Sequence, residues 1–459
     1  MKTFWARISS LLRMAFIWSV LSAIGLVAWH LKHPMLFFWR GVETPVLLLL
    51  AAAGAFFALR AWRQPGWRKL EAGLRLMVCC LLLALILGQE GWFRWQQYQV
   101  RQASGAMRIV GRHFVVGLRD FDEVKPLAER GLIGGIYLTR RNLRGEDVGS
   151  LRRKIDELQA LRQKAGLMPL FVMADQEGGE VAHLSPLLEP LPALATLVTE
   201  GSAESLEARA HAYGERQGRA MAALGINMNL APVVDLKPMH NGYWLNLHTL
   251  IERRAIAADP HIVLRVASAY GAGLNDSGIQ PTVKHFPGLG RVLADTHLVK
   301  ANLNLAPEER AADWLPFREV TARTGAAMML AHVGLPDIDP ERPVSQSRKV
   351  VQGILRHDKG EGWNYQGILI TDDMNMGAAY YDGIGRAVTR ALDAGVDLVL
   401  VSYDPDQYYR ALHDAAKNWR LDRIDNTLEV ESAMRLQRFW DEKARTPTAL
   451  QQASIMGEQ

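Results

Sequence analysis

Cysteine is almost absent from this 459-residue chain: Cys79 and Cys80 are the only two, adjacent and inside an apolar run. Neighbouring cysteines rarely bond to each other, and no third one exists to pair with either. A disulfide framework and a CxxC metal site are both excluded. The larger part of the chain has no thiol, which suits an oxidising or a reducing compartment equally. No zinc-type spacing and no phosphate-binding glycine loop occurs, so neither a metal nor a cofactor is expected. Acidic residues are scarce only at the start. Residues 1–104 hold 12 Lys/Arg against 3 Asp/Glu, whereas the remainder holds 41 against 45. The pI near 9.1 is therefore a property of the N-terminal segment, and nucleic-acid binding by the larger, mildly acidic part is not expected.

Charge is missing altogether from the 18 residues Met14–Leu31. About 20 apolar residues cross a bilayer as a helix, so this run qualifies. Pro45–Leu59 and Leu76–Gln89 are shorter apolar runs, which flanking Trp and snorkelling Arg side chains can extend. A buried helix in a soluble core is the competing reading, but three such runs follow one another with no polar-faced helix to pack against. A cleaved signal peptide competes for the first run, which lacks an A-x-A-like site and is followed by two further spans. Residues 1–93 are thus read as a membrane region with three transmembrane helices. Lys2, Arg7 and Arg13 precede the first span, and Arg60, Arg63, Arg68, Lys69 and Arg75 separate the second from the third. This positive-inside bias puts both segments in the cytoplasm and everything after Trp92 outside. The expectation is a multi-pass protein of a bacterial inner membrane, with the lipid bilayer as a partner and the larger part in the periplasm.

Residues 94–107 read as a polar linker and 446–459 as a disordered tail. Between them, over 108–445, short apolar runs alternate with helical periodicity: 113–118, 134–140, 169–176, 226–235, 281–286, 326–333, 367–374 and 397–402. Buried parallel strands give continuous apolar runs. Eight of them with helices between predict an α/β fold, a (β/α)8 TIM-like barrel.

Charged and imidazole side chains collect where these runs end. Asp175 and Glu177 close the third, Asp235 the fourth, Lys284 and His285 the fifth, His332 the sixth, Asp372 and Asp373 the seventh. One strand-terminal Asp is ordinarily a helix cap. Polar termini on several strands argue for one polar pocket, because the C-terminal ends of barrel strands share a rim.

The segments "MADQEGGEV", "LGINMNLAPVVD", "VKHFPGLGRVLADTHL" and "GILITDDMNMGA" are similar, in order and spacing, to the signature segments of glycoside hydrolase family 3. The single-barrel β-N-acetylglucosaminidase branch is the nearest. The resemblance spans about 108–440. It implies Asp372 as nucleophile and His297 as general acid/base, oriented by Asp295. It also implies Asp175, Arg254, Lys284 and His285 as sugar-binding groups. Imidazole, with an ordinary pKa of about 6.5, can donate a proton in one step and accept one in the next. The Pro-Gly pair and Gly290 are expected to let the loop swing His297 onto the substrate. Two departures stand out: Glu180 and His183 replace arginines common in the family, so His183 bears on the preferred sugar. Leu289 also replaces a histidine outside the acid/base triplet. The implied activity is removal of terminal β-N-acetylglucosamine from a small or oligosaccharide substrate, with cell-wall-derived sugars as the source. A β-glucosidase, a phosphorylase of the same family and a non-catalytic sugar-binding protein are the alternatives. The joint presence of Asp372, Asp295 and His297 speaks against the last. Oligomeric state is not legible.

Overall fold

The computed structural model describes residues 2–63, 65–103, 105–185, 187–199, 204–238, 250–360 and 362–445. The expected tail, 446–459, lies outside them. The chain forms two compact units, Met1–Gln99 and Val100–Gln459.

The first unit holds α1 (Lys2–Trp29), α2 (Glu43–Ala61) and α3 (Trp67–Arg101), each with a stretch long and apolar enough to cross a membrane. Leu21, Ala28, Ala51, Cys79, Leu82 and Ile86 form its interior. A Cβ at Gly54 would stand 2.9 Å from the Cys79 sulfur, so the missing side chain lets α2 and α3 approach. Large apolar residues such as Phe16, Leu26, Leu49, Phe57 and Leu81 point outward, the reverse of a helix in a water-soluble core. In the connection between α1 and α2, Lys32 pairs with Glu43 and Glu90, both at 2.9 Å, and Arg40 pairs with Glu43 at 2.7 Å. Residues 94–101, read above as linker, are the last turns of α3.

In the second unit all eight apolar runs appear as strands of one sheet: β1 (Phe114–Gly117), β2 (Gly135–Leu138), β3 (Phe171–Ala174), β4 (Met228–Asn229), β5 (Gln280–Phe286), β6 (Ala327–Leu330), β7 (Leu369–Thr371) and β8 (Val399–Val401). Each pairs in parallel with its sequence neighbour, and β1 pairs with β8. A single bridge, Ile370 to Leu398, joins β7 to β8, which leaves a nearly closed barrel. The ladder of β4 is short because Pro232 has no N–H to donate; one further bridge follows at Val233.

Alternation along the strands separates two cores. Val115, Phe171, Met173, Ile370 and Leu400 face the inside. Phe114, Val116, Val172, Leu369 and Val399 face the surrounding helices. Both faces are dry, which is why the runs read as continuous rather than alternating. The outer layer comprises α4 (Phe121–Glu129), α5 (Val148–Lys164), α6 (Leu206–Ala223), α7 (Pro260–Asp276), α8 (Pro307–Thr324), α9 (Ile384–Asp393) and α10 (Gln407–Arg420). Sequence-local caps start several of them. The Asp259 carboxylate accepts from His261 N–H at 2.8 Å ahead of Pro260, and Asp147 with Ser150 forms a reciprocal box at α5. The last helix, α11 (Asn426–Arg445), contributes Leu436, Phe439 and Trp440 to the inner core, with the Trp440 ring 4.9 Å from that of Phe171.

Candidate active site

The strand ends carry their polar residues to one mouth of the barrel. Lys284, only 2% exposed as a side chain, pairs with Asp175 at the end of β3 and with Glu177 Oε1 at 2.5 Å. Arg254 clamps Glu177 from the other side, Nε to Oε2 at 2.9 Å and Nη2 to Oε1 at 2.6 Å. Two cations thus face two carboxylates, Lys284 and Glu177 buried and Arg254 and Asp175 partly so, the condition under which burying charge is tolerable. Burial pushes the Asp175 carboxyl up, but Lys284 above all, together with His183 and the Tyr137 hydroxyl, holds Asp175 below the usual carboxylate range. Glu177 is held down against burial by Arg254 and Lys284 in the same way.

His285 is fixed by geometry. Its Nδ1 lies 2.7 Å from Asp235 Oδ2, and Arg254 Nη2 lies 3.3 Å from its Nε2. Guanidinium can only donate, so Nε2 accepts and Nδ1 donates to Asp235. Asp235, fully buried, also receives the backbone N–H of Leu289 at 2.7 Å. That bond ties the "HFPGLG" loop to the segment that follows β4. The loop is pinned there. A Cβ on Gly290 would stand 2.2 Å from the Leu236 carbonyl oxygen, so glycine serves close packing at this position rather than the hinge expected from sequence.

Further along the loop, Asp295 accepts from both the backbone N–H and the ring Nδ1 of His297, each at 3.0 Å. Asp295 is buried while the His297 side chain is 38% exposed. Thr296 and His297 offer their carbonyls to the N–H groups of Ala378 and Gly377, at 3.2 and 2.8 Å. This docks the Asp–His pair onto the segment that leaves β7, where Asp372 stands. Among the described residues, the Asp372 carboxylate accepts one hydrogen bond, from the N–H of Asp373 at 2.8 Å. Burial pushes its pKa up, but the imidazoles of His285, His332 and His297 overcome that and leave it below the ordinary value. Asp373 takes a supporting role: it accepts from Asn375, Ser402 and Tyr403 N–H groups and from the Ser402 hydroxyl at 2.6 Å. His332 bridges Ser345 Oγ at 2.7 Å and the Asp373 carbonyl at 3.0 Å, and burial lowers its pKa.

His183 follows a tight hairpin after β3; its N–H bonds the Asp175 carbonyl at 2.9 Å and its ring meets Tyr137 edge-on, centroids 6.2 Å apart. Burial lowers its pKa more than Asp175 raises it. Glu180, at the tip of that hairpin, faces outward to Arg253 at 2.9 Å. All eight residues singled out from sequence, Asp175, His183, Arg254, Lys284, His285, Asp295, His297 and Asp372, lie in or beside this mouth. Tyr137, whose hydroxyl bonds Asp175, was not anticipated. It sits in an apolar strand, and only its inward register, shared with Val115, marks it. The described residues contain no cluster of side chains suited to a metal ion.

A carboxylate kept ionised beside an imidazole that is itself oriented by a carboxylate suits nucleophilic attack paired with proton transfer. Polar groups gathered at one mouth of a parallel barrel define an enzyme of the barrel class, and comparison with known proteins narrows that class to glycoside hydrolases. The chain belongs to glycosyl hydrolase family 3, whose N-terminal domain matches residues 98–436. A beta-hexosaminidase of Thiobacillus denitrificans is 32% identical over 338 residues, 73% of this chain and 87% of that protein. One from Stenotrophomonas maltophilia K279a is 34% identical over 287 residues, covering 61% and 79%. Among solved structures, a family 3 beta-N-acetylglucosaminidase from Paenibacillus sp. FPU-7 superposes with a TM-score of 0.66 at 30% identity, over 74% of this chain and 63% of that one. The beta-N-acetylhexosaminidase of Beutenbergia cavernae gives 0.65 at 26% identity, over 74% and 99%.

Proposed function

We propose that this chain is a membrane-tethered, retaining exo-β-N-acetylglucosaminidase. The observation that carries the reading is the docking of the Asp295–His297 pair onto the strand end bearing Asp372, through the backbone bonds at Gly377 and Ala378. Asp372 attacks the anomeric carbon and forms a glycosyl ester while His297 hands a proton to the leaving oxygen. Water then cleaves the ester and gives a proton to His297, which restores its starting state. Most retaining glycosidases use two carboxylates for these roles; here a histidine replaces one. Asp295 bonds Nδ1, which makes Nε2 the atom that exchanges the proton. Asp175, Lys284, His285, Arg254 and His183 line the sugar's side of the mouth.

The names of the relatives support an N-acetylhexosaminide as substrate. Three apolar helices support the tether. The pairing of Lys32 and Arg40 with Glu43 and Glu90 supports an outer position for the first loop, because it offsets that loop's positive charge. An outward-facing barrel would meet sugars released from the cell wall. The test is to assay the purified full chain on nitrophenyl N-acetyl-β-glucosaminide and nitrophenyl β-glucoside side by side. The reading expects the first to turn over faster; preference for the glucoside would overturn the sugar assignment.

A further inference from the structure

Large apolar side chains are exposed at the rim of the site. Leu293, Leu298 and Val299 lie on the loop after β5, Tyr381 after β7 and Tyr403 after β8, and Tyr381 is 76% exposed. Contiguous exposed apolar surface costs solvation free energy unless something covers it, and Leu298 and Val299 directly precede Lys300, which packs on Tyr381. Tyr381 is not placed at random. It follows the short helix Gly377–Tyr380, whose first N–H groups hold the carbonyls of Thr296 and His297. Lys300, three residues beyond His297, sets its ammonium 4.1 Å from the centre of the Tyr381 ring. A cation on one face fixes the ring and leaves most of it in solvent. Lys300 makes no ion pair among the described residues. The nearby Asp382 is paired with Arg390 at 2.9 Å. The platform and the acid/base histidine therefore share one backbone framework.

We propose that Tyr381, with Leu298 and Val299 beside it, receives the leaving group of the substrate, and that this group presents a ring with an apolar face, a second sugar or an aryl group. The inference rests on the reading of His297 as acid/base. A general acid must reach the glycosidic oxygen, so whatever flanks His297 on the rim meets the part of the substrate that departs. Sugar rings carry C–H faces that stack on exposed aromatic rings, and tyrosine offers such a surface at little cost in side-chain entropy.

The test compares kcat/KM of the full-length protein on N,N′-diacetylchitobiose, whose leaving group is a ring, with that on methyl N-acetyl-β-glucosaminide, whose leaving group is not. The ratio of the two cancels differences in active fraction. Tyr381→Ala should lower the ratio roughly 3- to 10-fold, as expected for loss of one aromatic stacking contact, and Tyr381→Phe should preserve it. An unchanged ratio in Tyr381→Ala, with wild type active, overturns the platform alone. An unchanged ratio joined to an altered oligomeric state assigns the patch to a second copy of the chain, and overturns it too. If wild type cleaves neither glycoside, the hydrolase reading falls and the platform with it.

Discussion

Asp372 and His297 have separable tasks, and their loss should separate kinetically. Asp372→Ala removes the attacking group, so turnover is lost whatever departs. His297→Ala removes only proton transfer, worth roughly 10²- to 10⁴-fold. With dinitrophenolate, which leaves without a proton, the first step should survive and the glycosyl ester should accumulate after a burst. Azide, a nucleophile needing no base, should then restore turnover in the His297 variant and not in the Asp372 variant. Wild-type rates for His297→Ala on poor leaving groups would place the acid/base elsewhere. Lys284 answers to stability as well. Lys284→Met leaves the buried Glu177 and the half-buried Asp175 with less compensation, which should cost about 3–5 kcal/mol in chemical denaturation. The sign with pH follows from the two partners. Asp175 is depressed, so its contribution is present above its unfolded pKa of about 3.9 and is lost as pH falls through the lower folded value. Lys284 is raised by Asp175 and Glu177 against burial, so its share is present below about 10.4 and lost only as pH rises through the higher folded value. The gap between wild type and variant should stay flat from pH 5 to 9; a gap that closes within that range would refute the pairing. Asp175, Glu177, Lys284 and Asp372 were legible in sequence because they stand where apolar runs end, whereas His297 was legible only through the resemblance of its segment to the family. Tyr137 was not, since an aromatic inside a strand signals only a fit to a pleated surface.

Elements were more legible than their partners. Each strand announced itself because both of its faces are buried, while strand ends were overrun by several residues. Met228–Asn229 is much shorter than 226–235, because an apolar run reports burial and not ladder bonds. Residues 94–101 looked like linker because Gln and Arg there break the apolar pattern, yet helix propensity of those residues carries α3 onward. Gly290 shows the limit clearly. Sequence reads glycine as freedom, whereas this one is required by the Leu236 carbonyl. Gly290→Ala should therefore cost about 1–3 kcal/mol, the range for forcing an extra carbon into a packed site, and should lower activity by displacing the loop that carries His297. Unaltered stability and rate in Gly290→Ala would return the residue to the hinge role. The amphipathic pattern of α11 could show that it buries one face, but not that this face enters the barrel.

For the whole molecule, the charge asymmetry makes the strongest statement. A reporter active only outside the cytoplasm should work when fused after residue 104, and one active only inside should fail there; the opposite result would invert the topology. The position of α11 has a consequence for how the protein is made. Leu436, Phe439 and Trp440 form part of the inner core beside Phe171, yet they are translated after every strand. Until they emerge from the ribosome, the nascent barrel shows water an unsealed apolar interior, the kind of surface that chaperones bind and that aggregates when left alone. Maturation of the enzyme is thus timed by its last helix, and a chain released early would be a client for quality control before it could be a catalyst.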